Sequence, residues 1–160
     1  MIPSDIEKLH DYQYLRFINT TPSSQNPTWK VLGVGITELT TSYNPQVDTE
    51  RWIVETNART DHTGNQKQSS VSQKCYKNDP VFTFMNDARD KINTTTQILE
   101  IDTWNGSGGS YPAKLSDALV TPTTYSGAVI EYDLYFNGNA TDGNATITGG
   151  TPSFTPSVSL

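Results

Sequence analysis

The strongest constraint on this chain is the alternation of apolar and polar residues in two segments, residues 97–104 and 127–136. A period of two residues is that of a β-strand with one buried face and one polar face. Other stretches rich in β-branched and aromatic residues are short, and Ser, Thr, Asn, Gly and Pro residues separate them. We predict further strands at residues 11–19, 29–39, 50–56, 67–76 and 114–120.

A single segment has the period of a helix instead. Between Asn78 and Asn93, apolar residues recur at spacings of three and four. Asn78 or Asp79 can accept a hydrogen bond from the amides of the first turn, and Pro80 suits the first helical position. Seven or eight short strands with one helix predict a mainly β chain, a β-sandwich or barrel with one flanking α-helix. We expect residues 1–160 to form one domain.

Three stretches interrupt this pattern. The polar connection at residues 57–70 is longer than a normal hairpin loop, which uses about two to five residues. Such a length is typical of a functional or disordered loop. Gly33 and Gly35 lie inside the second strand and predict a bulge or a close backbone approach. Residues 138–160 carry no charge beyond Asp142, and we expect them to form a last strand or a flexible arm.

Composition excludes several classes of function. The net charge is −6, from 11 basic and 17 acidic residues, which is opposite to the basic balance of a nucleic-acid binder. Cys75 is the only cysteine, which excludes an intramolecular disulfide and a cysteine metal cluster. No apolar run approaches the roughly 20 residues of a membrane span, and no secretory signal is visible at the N-terminus. We therefore expect synthesis in the cytoplasm and no membrane partner.

Four carboxylates form the sharpest local pattern. Glu100 and Asp102 lie on the polar side of one predicted strand, and Glu131 and Asp133 lie on that of another. If the two strands were neighbours, the four groups would share a surface and raise one another's pKa. Three interpretations stay open: a solvated sheet face, an acidic wall that repels a polyanion, and a glycosidase pair with the chain's three tryptophans stacked on sugar.

No other pattern points to catalysis. His62 beside Asp61 could bind a metal or act as a base, although a loop histidine beside an acid is usually exposed to solvent. We expect Cys75 to pack as a small apolar residue, and no serine lies in a nucleophile elbow. Residues 142–144 (Asp-Gly-Asn) lack the downstream acids of an EF-hand. The sequence predicts no enzymatic activity, no cofactor and no metal site.

Several short pieces follow one another in a defined order along residues 29–104. They are Glu38-Leu39, Tyr43-Asn44-Pro45-Gln46, Trp52-Ile53-Val54-Glu55 with Asn57-Ala58, Gln73-Lys74-Cys75-Tyr76, Asp79-Pro80-Val81-Phe82 and Ile98-Leu99-Glu100-Ile101. Their order and spacing resemble those of the major tail tube proteins of tailed bacteriophages, of the siphovirus-like type found with Gram-positive hosts. One departure lies in the long loop, where Gly64 is followed by Asn65 while similar proteins often have an aromatic residue.

This resemblance implies a β-sandwich with a flanking helix, six copies of which form a ring. Rings stack into a tube, and genomic DNA passes through it without specific binding. The resemblance further implies a place in the virion tail, assembly in the host cytoplasm, and contacts with the tape measure protein, the tail terminator and the distal tail or baseplate proteins. Ring closure fits the β-rich pattern, because pairing across subunits removes open sheet edges.

Within this scheme, Glu100, Asp102, Glu131 and Asp133 are candidates for an acidic lumen wall along which DNA slides without binding. Residues 57–70 are a candidate inter-ring loop. The candidates for inter-ring contacts are Tyr43, Asn44, Pro45, Arg59, Asp61, His62 and Asn65. Two alternatives stay open: a carbohydrate-binding β-sandwich module of an adhesin, and a tube of a phage-like secretion or bacteriocin system.

Overall fold

The structure, a computed structural model, describes residues 6–157. Within that range ten strands and one α-helix follow one another, and two short 3₁₀ helices lie at Asp11–Gln13 and Thr103–Asn105. The elements are β1 Tyr14–Asn19, β2 Trp29–Val31, β3 Ile36–Ser42, β4 Pro45–Glu50, β5 Arg59–Asn65, β6 Gln68–Lys74, α1 Pro80–Ala88, β7 Thr94–Asp102, β8 Ser110–Tyr125, β9 Val129–Thr148 and β10 Thr151–Pro156. The prediction of a mainly β chain with one α-helix is confirmed.

Eight strands form one antiparallel sheet in the order β2-β1-β7-β8-β9-β6-β3, with β10 paired to the far half of β9. β2 and β3 stand at opposite ends of this order, yet only residues 32–35 join them. Four residues span at most about 14 Å, so the two ends of the sheet must approach each other. The sheet is accordingly curled into a half-barrel.

Strand β7 is buried on both faces because the curled sheet carries a core on each side. Ile98 and Leu99 are neighbours in sequence, belong to different cores and are both fully buried. The first core, between the sheet and α1, contains Ile18, Leu32, Val71, Val81, Met85, Ala88, Ile98, Ala118, Val120, Ile130, Tyr132, Leu134 and Phe136. The second core contains Phe17, Leu99, Ile101, Ala113 and Ala145, with Phe154 of β10 packed against it. β7 therefore contributes buried side chains to both cores.

Helix α1 is fixed to the sheet by its apolar face, which includes Val81 and Met85, and by a buried polar network at its N-terminus. Asp79 is the N-cap: its Oδ1 accepts from the Val81 amide at 3.1 Å, and its Oδ2 accepts from Gln73 Nε2 at 2.9 Å. The Tyr132 hydroxyl donates to Gln73 Oε1 at 2.9 Å. Burial raises the pKa of Tyr132, which keeps its hydroxyl a donor. The mutual hydrogen bonds let these polar groups stay buried.

The helix ends at Ala88, earlier than the predicted end at Asn93. The amides of Arg89 and Lys91 bond to carbonyls three residues back, which tightens the last turn. Asn93 then adopts a φ of 61° and turns the chain into β7. Ile92, the last apolar residue of the predicted helix, is therefore 89% exposed.

Two predicted strands are wrong in extent. Residues 29–39 form two strands, because Gly35 has a φ of 74° and a side chain there would meet the Lys74 carbonyl oxygen at 2.6 Å. Residues 51–56 form the turn of a hairpin rather than a strand, and residues 59–65, expected as loop, are β5. β4 and β5 pair only with each other, so no sheet is available to bury an apolar strand at this point.

The C-terminal strands are longer than predicted. The first half of β9 pairs with β6, and its far half pairs with β10. Residues 138–157, expected as a last strand or a flexible arm, form the end of β9 and β10; residues 1–5 and 158–160 lie outside the described residues. Within the described range, no helix has the length and apolar character needed to cross a membrane.

Candidate functional site

Strands β3, β6, β9 and the end of β8 turn an open, polar face away from the first core. We call this surface the polar face. It is made by alternation on β9, where Tyr132 and Leu134 enter the core and Glu131 and Asp133 point the other way. Its polar side chains are Glu38, Thr40, Ser70, Ser72, Thr123, Glu131 and Asp133. This set contains three acids and no base.

Hydroxyl groups hold the two carboxylates of β9. Ser70 Oγ donates to Asp133 Oδ1 at 2.9 Å, and Thr124 Oγ1 donates to Glu131 Oε2 at 3.0 Å. These partners are neutral, so they orient the carboxylates without cancelling their charge. A face of this kind repels a polyanion over about a Debye length, ~8 Å at physiological salt.

The structure does not bring the four predicted carboxylates together. β7 and β9 are not neighbours, since β8 lies between them. Glu100 and Asp102 also lie on the other face of the sheet, the side on which Ile98 enters the first core. Glu100 is only 4% exposed. The interpretation as a solvated sheet face does not fit this position, because the side chain is enclosed and meets a lysine.

Glu100 forms an ion pair with Lys67, with 2.5 Å between Oε1 and Nζ. Burial raises the pKa of Glu100 to about 7, and neighbouring Asp102 adds to the rise. Burial also lowers the pKa of Lys67. Both shifts disfavour the charged forms, so the pair fixes the position of Lys67 more than it adds net stability. Lys67 Nζ lies 4.5 Å from the ring centroid of Phe136 and 5.5 Å from that of Tyr43.

Alternating charges cross the sheet in one row at this level. Arg16 on β1 faces Glu100 on β7, which faces Lys114 on β8. Lys114 in turn faces Asp142 on β9, with 3.2 Å between Nζ and Oδ1. Opposite-charge pairs across strands contribute roughly 0.2–1 kcal/mol each and penalise a slipped register. The row therefore helps to fix the pairing of four strands.

Strands β4 and β5 form a hairpin that stands apart from the sheet, and we call residues 45–65 the arm. Nearly all of its strand residues are exposed, Gly64 being half-buried. At its base the Gln66 amide donates to the Asn44 carbonyl at 3.4 Å, and Asn44 Nδ2 donates to the Gln66 carbonyl at 3.1 Å. Lys67 follows directly, so its buried ion pair anchors the base of the arm to β7.

The arm ends in an exposed apolar tip, which we define as Trp52, Ile53 and Val54. Ile53 is 100% exposed and Val54 is 86% exposed. The guanidinium of Arg59 lies 4.3 Å from the ring centroid of Trp52 and pairs with Glu55 at 2.6 Å, which stiffens the turn. The sequence-based interpretation missed this tip by treating it as a strand. Three consecutive apolar residues without alternation, between charged neighbours, are the signal that could have identified it.

The predicted inter-ring contact residues are spread along the arm and its base. They are Tyr43 and Asn44 before β4, Pro45 at its start, and Arg59, Asp61, His62 and Asn65 on β5. The His62 ring contacts the Gly64 carbonyl at 2.9 Å and Asn65 Oδ1 at 2.6 Å, both within the hairpin. Among residues 6–157, no group of three or more His, Cys, Asp or Glu side chains could hold a metal ion.

The three tryptophans lie on separate parts of the chain. Trp29 packs against the second core, Trp52 is at the tip of the arm, and Trp104 is in a 3₁₀ helix. Cys75 is partly buried beside the first core, and burial raises the pKa of its thiol. A raised pKa disfavours the reactive thiolate, which agrees with a packing role for this residue.

No protein-family model matches the sequence, and a search of curated proteins gave no match either. Solved structures do match in fold. A chain in the tail of an empty GTA particle, determined by helical refinement with C6 symmetry, has a TM-score of 0.54 and 13% identity, over 92% of this chain and 99% of that one. A chain in the sixfold-symmetrised cryo-EM structure of the anti-feeding prophage (AFP) baseplate has a TM-score of 0.50 and 11% identity, over 86% and 96%. The chain therefore has the fold of proteins that occur in these tail and baseplate structures.

Proposed function

We propose that the protein is a structural, non-enzymatic subunit of a tail tube, which assembles with itself into stacked rings of six copies. The observation that carries the proposal is the similarity in fold, over nearly the whole length of both chains, to a component of a C6-symmetric tail. A subunit of this kind would belong to the virion tail, and the bore of its tube would conduct DNA.

Open strand edges support assembly with further copies. β3 is an edge strand of seven residues that carries a single charge, Glu38, and neither proline nor lysine. An edge without such protection is a template for pairing with another chain. In a ring the edges of neighbouring copies would pair and close a continuous barrel.

The polar face is the surface that we assign to the lumen. This assignment keeps Glu131 and Asp133 as lumen candidates. The assignment does not include Glu100 and Asp102. Glu100 is buried inside the subunit, and Asp102 lies on the same side of the sheet as Glu100. Carboxylates and hydroxyls dominate this surface, and the exposed Lys74 follows Ser72 on the same side of β6. Together they offer little counter-charge to DNA phosphates, so DNA would pass without specific binding.

The arm is the element that we assign to contacts between rings. A two-stranded hairpin is at best marginally stable in water, and this one is exposed on both faces. A partner surface would supply the burial that its own chain does not. Strands of six residues reach roughly 20 Å, which is enough for the arm to leave its own ring.

Negative-stain electron microscopy of the purified full-length chain tests the proposal. We expect tubes of uniform width built from stacked rings, with sixfold symmetry in averaged end views. A protein that stays a monodisperse monomer under all assembly conditions would contradict the proposal. If that monomer bound glycans on an array, the adhesin alternative would replace it.

The similarity to the AFP baseplate favours a second candidate, a tube in a phage-derived secretion or bacteriocin particle. Both candidates predict the same rings, and they differ in what the finished particle contains. Particles isolated from producing cells would hold DNase-protected DNA in the first case and none in the second.

A further inference from the structure

A cleft opens where the curled sheet fails to close, between β1 and β2 on one side and β3 on the other; we call it the seam cleft. Its volume is about 420 Å³, within the range of about 300–1,000 Å³ for clefts that hold small ligands. Its apolar lining includes Tyr12, Leu15, Val31, Ile36 and Leu39. Tyr12 and Val31 are exposed to solvent. Arg16, Thr37 and Glu38 add polar groups to the lining. The cleft is therefore an open surface of mixed apolar and polar character at the seam of the sheet.

The tip of the arm is an apolar protrusion. Its three side chains protrude from a hairpin, and Ile53 touches so little of its own chain that it is fully exposed. A contiguous exposed run of large apolar residues marks a contact surface. One chain thus carries an apolar protrusion and, on a different part of its surface, a cleft with apolar side chains in its lining.

The charges beside the two surfaces also agree. Arg51 precedes the tip, and Glu38 lines the seam cleft. Both residues are exposed, and the ion pairs found among residues 6–157 include neither of them. Arg59, the other cation of the turn, is already held by Glu55. Docking would bring an unpaired cation toward an unpaired anion, in a cleft whose lining also contains Arg16, which lies 4.8 Å from the ring centroid of Tyr14.

We propose that the tip of the arm inserts into the seam cleft of a second copy of this chain, with Ile53 against Val31 and Ile36 and with Arg51 beside Glu38. Tip and cleft are different surfaces of one chain, so the contact is heterologous and repeats from copy to copy without closing into a two-fold dimer. The inference rests on the proposed function, because it names the surface that receives the arm when rings stack.

Disulfide trapping between two preparations of the full-length chain tests the contact. Both carry Cys75→Ala, one adds Ile53→Cys on the tip, and the other adds Val31→Cys in the cleft. The two are mixed, allowed to assemble and oxidised. A disulfide needs Cα atoms within about 7 Å, so only direct contact gives a covalent dimer. The matched control replaces Val31→Cys by Ile92→Cys, a site that is 89% exposed but outside the cleft.

We expect roughly tenfold or more covalent dimer in the first mixture than in the control, because docking raises the local concentration of the two thiols. Equal yields, or a dimer of Ile53→Cys with itself as the main product, would overturn the assignment. A second pair of variants needs no cysteine. Ile53→Asp should reduce sedimentable assemblies while Ile92→Asp leaves them unchanged, and circular dichroism checks that both remain folded.

The outcomes separate the docking inference from the proposed function. Wild-type tubes without excess dimer in the first mixture would refute the seam cleft as the receiving surface and leave the tail tube proposal intact. A wild-type chain that forms neither rings nor tubes would refute the proposed function, and the docking of a second copy would fall with it.

Discussion

Strand β7 and the arm are both antiparallel β-structure, and they are stabilised in opposite ways. In β7, Ile98, Leu99 and Ile101 are fully buried in two cores that the same chain provides. In the arm every residue of β4 is exposed, and the pairing with β5 is the main contact within the chain. β7 explains how one copy folds, whereas the arm is an element that other copies would have to stabilise.

Truncation of apolar side chains should show the largest difference between the two regions, measured as the loss in free energy of unfolding. Leu99→Ala empties a fully buried position, and we expect it to lower the free energy of unfolding by about 2–5 kcal/mol. Ile53→Ala acts on a fully exposed side chain and should change the free energy of unfolding by less than about 0.5 kcal/mol. Urea unfolding at concentrations that keep the protein monomeric measures both. Similar losses would show that the tip packs on its own chain.

The burial of Glu100 at the base of the arm should make stability depend on pH. Burial raises the pKa of Glu100 from 4.5 to about 7, so the folded chain holds a proton that the unfolded chain releases between these values. The contribution is fully present below pH 4.5 and is lost as the pH rises through about 7. We expect it to be about 1–3 kcal/mol.

The matched control for this effect is Glu100→Gln, which still offers Lys67 an oxygen acceptor and cannot titrate. Unfolding free energies of both proteins are measured from pH 4.5 to 8, and the difference between the two curves removes the contribution of all other groups. The wild-type chain should lose stability relative to the variant as the pH rises. Parallel curves would show that folding does not raise the pKa of Glu100.

Charge reversal on the polar face should have the smallest effect on folding. Glu131→Lys with Asp133→Lys changes side chains that point away from the first core, so tubes should still form and stability should change by less than about 0.5 kcal/mol. In the virion the new cations would bind DNA phosphates and slow its passage. Asp90→Lys, in the exposed turn after α1, is the matched control. Normal infectivity of the double variant would contradict the assignment of the polar face to the lumen.

Much of the sheet and the start of the helix could be predicted because their signals are local. Alternation in residues 127–136 correctly predicts which side chains of β9 are buried, and Asp79 with Pro80 correctly predicts where α1 begins. The burial of Glu100 could not be predicted in this way. Its partner Lys67 is 33 residues away in sequence, and an acid on an alternating strand is typical of a solvated face.

The candidate surfaces were harder to predict, because each depends on an element that is distant in sequence or that the chain itself does not provide. The shared carboxylate surface fails because β8 lies between β7 and β9, an order of strands that neither segment encodes. The arm lacks the period of a buried strand since neither of its faces is buried within the chain. Sequence reasoning identified its polar half as unusual and placed its apolar tip in a strand.

Removal of the arm tests the central claim most directly. Residues 46–64 are replaced by a short Gly-Ser linker, which leaves Asn44, Gln66 and the Lys67–Glu100 pair in place, and the variant is examined by negative-stain microscopy beside the wild-type chain. We expect wild-type tubes, and from the variant folded monomers or single rings that do not stack. Long, regular tubes from the variant would contradict the account.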